Sequence, residues 1–380
     1  MYDEKTRIPI CEPTLSGYEL EYLSKCIESN WLSSKGFYVT EFENKFSEFC
    51  GSKHGVATSS GTTALHLSLT ALGIGRNDEV IIPSLTMIAS ANPVIFAGAT
   101  PVFVDSESET WNIDVSKIEE KITQKTKAIM PVHIYGHPVD MDPLLDIAKK
   151  HNLWVIEDAA EAHGAEYKGK RAGSLGDVGC FSFYTNKIIT TGEGGMVVTD
   201  NDEIFDRLVD LRDLAHSKEQ RYLHYEIGFN YRLTNLQAGV GLAQMKKIED
   251  YIVARREHAR SYNSILKDVD GIKLPPEADN VKNVYWLYSI LIQDDFGIKR
   301  DDLAIELYKK GIETRPFFIP MHKQPVFQKM GLIKGEFPIA DELGEKGICL
   351  PSSSSLTKDQ IEYVCDSIKE IQKECKIVVI

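Results

Sequence analysis

No stretch of this chain stays apolar for the roughly 20 residues that a bilayer-crossing helix needs, so no membrane span is expected. The opening Met1-Tyr2-Asp3-Glu4-Lys5 lacks the apolar run of a secretory signal, and a cytoplasmic protein is expected. Seven cysteines are present, but Cys11, Cys26, Cys50, Cys180, Cys349, Cys365 and Cys375 are irregularly spaced. That spacing gives neither a metal-ligand pair nor a disulfide framework, so reduced, partly buried thiols and no metal are expected. Positive charge is also short. The balance of 43 Lys+Arg against 56 Asp+Glu leaves −13, which argues against a nucleic-acid surface but permits a local basic pocket. There is no internal repeat, no low-complexity tract, no Walker loop and no three-glycine dinucleotide fingerprint.

What the chain does have is enough apolar content for more than one core. At 380 residues with 43% hydrophobic content, two domains are expected, divided at 245/246. Helical spacing runs over Leu15–Asn30 and begins again at Glu41–Cys50. Short apolar strands then recur at 79–82, 100–104, 128–132, 154–156, 180–183 and 196–198, with helical segments between several of them. This alternation predicts an α/β fold with a mostly parallel sheet and crossover helices. One long helix is expected over Asn235–Ile265. Trp286–Ile292 and Leu303–Lys310 suggest a smaller α+β domain, and the apolar tail Lys376–Ile380 an edge strand or interface contact.

Three short motifs carry chemistry. Lys187 lies between the apolar strand Phe181-Ser182-Phe183 and the turn Gly192-Glu193-Gly194-Gly195. A lone loop lysine is ordinarily solvated, but one pinned at a strand end can be desolvated, as a Schiff-base lysine must be. Asp158 and Glu161 follow the strand Trp154-Val155-Ile156 at its C-terminal end, the edge where open α/β sheets bind ligands. A carboxylate there can keep a pyridine nitrogen protonated, although Asp158 could equally be a helix N-cap. Thr58-Ser59-Ser60-Gly61-Thr62-Thr63 leads into an apolar helix, whose free N–H groups suit a phosphate.

Together these motifs resemble the DegT/DnrJ/EryC1/StrS sugar aminotransferases, from Ile10 to about Leu356. The resemblance implies the type I aspartate-aminotransferase fold: a large domain over 1–245 that binds pyridoxal 5'-phosphate, and a small α+β domain over 246–380. It places the cofactor on Lys187, its ring nitrogen on Asp158 and its ring hydroxyl on Glu161. Its phosphate falls to Ser60, Gly61, Thr62 and Ser182. Asn230, in Gly228-Phe229-Asn230-Tyr231-Arg232, would reach that phosphate from a second subunit, which makes a homodimer with shared sites. The runs Trp31–Gly36, Pro131–His137 and Thr314-Arg315-Pro316, with Glu161, look most like members that aminate a GDP-linked 4-keto-6-deoxy-hexose at C4 with L-glutamate as donor. A UDP or dTDP carrier stays open.

Trp31, Ser34, Lys35, Arg232, Arg315 and His322 are candidate substrate contacts, with core packing the rival role for Trp31 and an ion pair for Arg232. His163 is a candidate support for Asp158, with a satisfied structural histidine the commoner role. Departures from the family pattern are Met87, where an aromatic usually stacks on the cofactor ring, Thr185 in place of a common glycine, and Ile319 at an often polar position. Relatives that instead remove a C3 hydroxyl carry histidine in place of the lysine. A non-catalytic homologue would lose Lys187 or Asp158, and both are present.

Overall fold

In the computed structural model, which describes residues 7–220 and 222–378 (side chains to 375), the apolar runs become the strands of one sheet. These are β1 (His54–Thr58), β2 (Glu79–Pro83), β3 (Thr100–Val104), β4 (Thr126–Ile129), β5 (Trp154–Asp158), β6 (Val178–Ser182) and β7 (Gly195–Thr199). Their order is β1-β7-β6-β5-β4-β2-β3. Neighbours pair in parallel except at β7, which is antiparallel to both β1 and β6. β6 and β7 are buried along their whole length, which is why they read as continuous apolar runs.

A second, four-stranded antiparallel sheet joins Ile272–Lys273, Tyr288–Ile292, Gly347–Leu350 and Arg315–Pro316 in that order. It packs its own core with Tyr262, Leu303, Leu307, Ile361 and Val364. Ile8 bridges to Ile312, so the N-terminal segment lies on this unit.

Two expectations change. The helix over 235–265 is divided into Asn235–Met245 and Ile248–Leu266, because Lys247 leaves helical geometry at φ −122°. Packing explains the break. Gly241 sits so close to Phe42 that a Cβ would lie 2.7 Å from its ring, which fixes the first helix on Phe37–Cys50. The second helix begins in the core of the large sheet at Ile248 and Ile252 and ends in the other at Tyr262 and Leu266. The expected edge strand is also replaced. Helix Lys358–Val378 carries a buried stripe of Ile361, Val364, Cys365, Ile368 and Ile371 and continues into 376–378; residues 379–380 lie outside the described part.

Candidate active site

The C-terminal ends of β5 and β6 meet the start of helix Gly61–Ala71. Ser60 caps that helix in a reciprocal box with Thr63, leaving the first-turn N–H groups of Gly61 and Thr62 without partners inside the helix. Ser182 ends β6 directly opposite. A Cβ built on Gly61 would lie 2.8 Å from the Cβ of Ser182, so this space exists only because residue 61 is glycine. Helix N–H groups, a dipole end and two hydroxyls form a cradle for an anion.

Strand alternation sends the adjacent acids of β5 apart. Glu157 is fully buried and accepts N–H groups from Gly173, Leu175 and Gly176 at 2.7, 2.7 and 2.6 Å, with His133 Nε2 at 2.9 Å. It is an anchor for the loop ahead of β6. Glu157→Ala would strand these donors and should cost roughly 3–5 kcal/mol, measurable as a lower denaturant midpoint with unchanged slope. Asp158 points the other way. Its Oδ2 accepts the Ser90 hydroxyl at 2.7 Å and its Oδ1 the Ala160 N–H at 3.2 Å. Burial raises its pKa, against the pull of those bonds and of the Lys187 charge. Among the described residues no basic nitrogen comes within ion-pair distance of Asp158.

Lys187 is held by a turn in which its N–H bonds the Tyr184 carbonyl at 2.9 Å. Its amine lies 3.9 Å from Glu161 Oε1 and 3.6 Å above the ring of Trp286. Burial lowers the lysine pKa, with Glu161 and Asp158 opposing. Burial likewise pushes Glu161 up, to about 7, despite the Lys187 charge and the 2.7 Å N–H bond from Tyr135. Tyr135 makes that bond from a left-handed conformation, φ 52°, in the run Pro131–His137. Lysine, two carboxylates and the anion cradle thus converge on one sheet edge. Such a set can link a carbonyl, move a proton and stabilise a cation.

The remaining candidates make other contacts. His163 does not support Asp158: its ring sits among Phe46, Phe181 and Phe183, and burial drops its pKa to about 3. Met87 is half exposed, with Sδ accepting the Ala89 N–H at the start of helix Ile88–Phe96. Thr185 turns its hydroxyl onto the Gly192 carbonyl at 3.1 Å. Ile319 is exposed. Lys35 and Arg232 both pair with Asp213. Trp31, with Lys35, borders an open cleft beside Phe37 and Asn235, and Ser34 lies between them in the same loop. Arg315 is exposed on its short strand. His322 spends both ring nitrogens, on Ser84 and Asp341, each at 2.7 Å. Among the described residues none of these six hydrogen-bonds or ion-pairs with Lys187, Asp158 or Glu161. Asn230 is exposed, next to exposed Tyr225 and Ile227. Sequence reasoning missed Ser90 and Trp286; helical phase after β2 could have placed Ser90 at the sheet edge.

The model of the DegT/DnrJ/EryC1/StrS aminotransferase family matches residues 13–369. The chain belongs to this family. It is 47% identical to a GDP-perosamine synthase of Escherichia coli O157:H7 over 97% of this chain and 99% of that one. It is 45% identical to a GDP-perosamine synthase of Caulobacter vibrioides, covering 96% and 98%. Among solved structures it is similar to S. venezuelae DesV in complex with a ketimine intermediate, with TM-score 0.89, 35% identity and coverage of 96% and 99%. The family assignment accounts for a desolvated lysine facing paired acids on an α/β sheet. Among the described residues no helix is long and apolar enough to cross a membrane, and no group of His, Cys, Asp and Glu could hold a metal ion.

Proposed function

We propose that the protein is a pyridoxal 5'-phosphate-dependent aminotransferase that makes GDP-perosamine from GDP-4-keto-6-deoxy-D-mannose, with L-glutamate as donor. The observation that carries this reading is the fit of the site to the cofactor in a chain 47% identical to a GDP-perosamine synthase. Asp158 is a buried carboxylate with no cationic partner among the described residues, and a protonated pyridine nitrogen would supply one. The Gly61–Ser182 cradle would hold the phosphate, with Ser60 and Thr62 beside it. Burial raises the Glu161 pKa, and in its protonated form the side chain can donate to a ring oxygen.

When bound, the cofactor supplies an electron sink for the carbon that loses or regains a proton. Lys187 holds the cofactor, then acts as base and acid once displaced; burial lowers its pKa, which leaves more of the amine free to take a proton. Asn230 on an exposed apolar stretch supports a homodimer in which each protomer completes the partner's phosphate site. The reading has a cytoplasmic enzyme supply an activated amino sugar for lipopolysaccharide O-antigen synthesis; no helix among the described residues is long and apolar enough to cross a membrane.

The test is a spectrum of the purified protein before and after L-glutamate, followed by GDP-, UDP- and dTDP-linked 4-keto-6-deoxy-hexoses. A near-visible band that shifts with glutamate, and a 4-amino product from the GDP sugar, are expected. A product formed only from a UDP or dTDP sugar would overturn the carrier assignment. No band after adding the cofactor would overturn the enzyme.

A further inference from the structure

Trp286 has no role in the site described above, yet it touches the lysine and the turn that carries it. Its ring face lies 3.6 Å from the Lys187 amine, and its Nε1–H donates to the carbonyl of Asn186, the residue before the lysine, at 2.7 Å. The tryptophan is itself fixed. Its carbonyl accepts Arg255 Nη1 at 2.6 Å, and Arg255 is 3% exposed, with its other contacts on Ser354 Oγ and Cys11 Sγ. Cys11 also donates to the Asn186 carbonyl, at 3.2 Å. Among the described residues this buried guanidinium has no carboxylate partner, and the shortest of its three hydrogen bonds holds the Trp286 carbonyl. The approach of that segment depends on Gly136: a Cβ there would lie 3.0 Å from the Trp286 nitrogen.

We propose that Trp286 is a positioning residue for Lys187: its ring is the dry wall on which the free ε-amine rests, and its N–H fixes the turn that presents the amine. This rests on the reading of Lys187 as the cofactor lysine. The groups facing the amine are Glu161, Asp158 and Cys11, with His163 behind and Arg255 beyond Cys11. The acidic groups and the ring face all favour the charged amine, whereas burial disfavours it. Burial is the larger effect, and the amine pKa is lowered. A smaller aliphatic residue at 286 would admit water and lose more desolvation than the ring face returns.

The experiment is competitive acetylation of cofactor-free full-length protein with acetic anhydride across pH, read by mass spectrometry on the Lys187 peptide. In Trp286→Leu the midpoint should rise by about one pH unit, a tenfold change in the neutral fraction. Trp286→Phe keeps a wall but loses the bond to Asn186. Its midpoint should stay within a few tenths of a unit, while the loaded enzyme loses about tenfold in kcat with KM changed less than about threefold. An unmoved midpoint in folded Trp286→Leu would overturn the proposal. If Trp286→Leu does not fold, unchanged kcat in Trp286→Phe would overturn it instead. Borohydride reduction of loaded wild type asks separately whether Lys187 carries the cofactor. An unmodified Lys187 would overturn the cofactor-lysine reading, and with it the catalytic half of this proposal, whereas the acetylation midpoints judge the wall alone.

Discussion

Lys187→Ala should lower turnover by at least about 10⁴-fold, because both the covalent tether and the proton carrier vanish with one side chain. Its fold should survive. The amine is held with a pKa below its unfolded value, so at neutral pH the unfolded state binds the proton more readily and the native state bears a penalty. That penalty fades only as pH rises toward the unfolded lysine value. Alanine removes it, which offsets the small cavity left behind. Stripped of cofactor, the variant should therefore melt within about 1–2 °C of wild type at pH 7, the span of a change near 1 kcal/mol in a chain of 380 residues. A variant that turns over at a tenth of the wild-type rate would sink the mechanism. The same protein tests the shared site. Co-expressed with Asn230→Ala, it should form hybrid dimers in which one site regains both wild-type residues. Recovered activity in the hybrid supports that geometry, and activity no greater than that of Asn230→Ala alone rules it out.

The large sheet was legible because its strands are nearly all buried and so appear as uninterrupted apolar runs between helical segments. The break at Lys246-Lys247 was not legible. Helical periodicity continues across it, and only the need to pack against two different cores turns the chain. Likewise Lys376–Ile380 reads as β-prone alone, whereas the stripe from Ile361 to Ile371 carries the helix into it. At the site, Lys187, Asp158 and the Ser60-Gly61-Thr62 turn were visible because each breaks a local pattern. Trp286 was not, since an apolar residue ahead of a strand looks like core, and its contact with the lysine spans about a hundred residues. His163 follows Asp158 closely in sequence, but the turn after β5 carries it into the phenylalanine cluster, the structural role rather than the supporting one. At His322 the distant partners were not legible: one ring nitrogen reaches Ser84 beyond β2 and the other Asp341 in helix Pro338–Lys346.

Asp158→Asn should separate function from stability. In the cofactor-free protein the carboxylate is buried, its pKa is raised, and no basic nitrogen lies within ion-pair range among the described residues. A group whose folded pKa lies above its unfolded one contributes stability below the unfolded value and loses it as pH rises through the folded value. At pH 7 the ionised carboxylate is thus a net cost, and an amide of the same shape avoids it: its oxygen keeps the Ala160 N–H while the Ser90 hydroxyl turns to accept from its nitrogen. The stripped variant should melt at or above the wild-type temperature at pH 7, with the difference closing near pH 4. Its chemistry should fail all the same. An amide cannot compensate a protonated ring nitrogen, so kcat should fall by about 10²–10³-fold, the scale of losing one preorganised electrostatic contact. Calorimetric melts at the two pH values, beside turnover of loaded enzyme, decide the matter. A stripped variant much less stable than wild type at pH 7 would mean that Asp158 is mainly an anchor of the fold, as Glu157 is. Full activity in a stable variant would mean that the ring nitrogen is held by some other group.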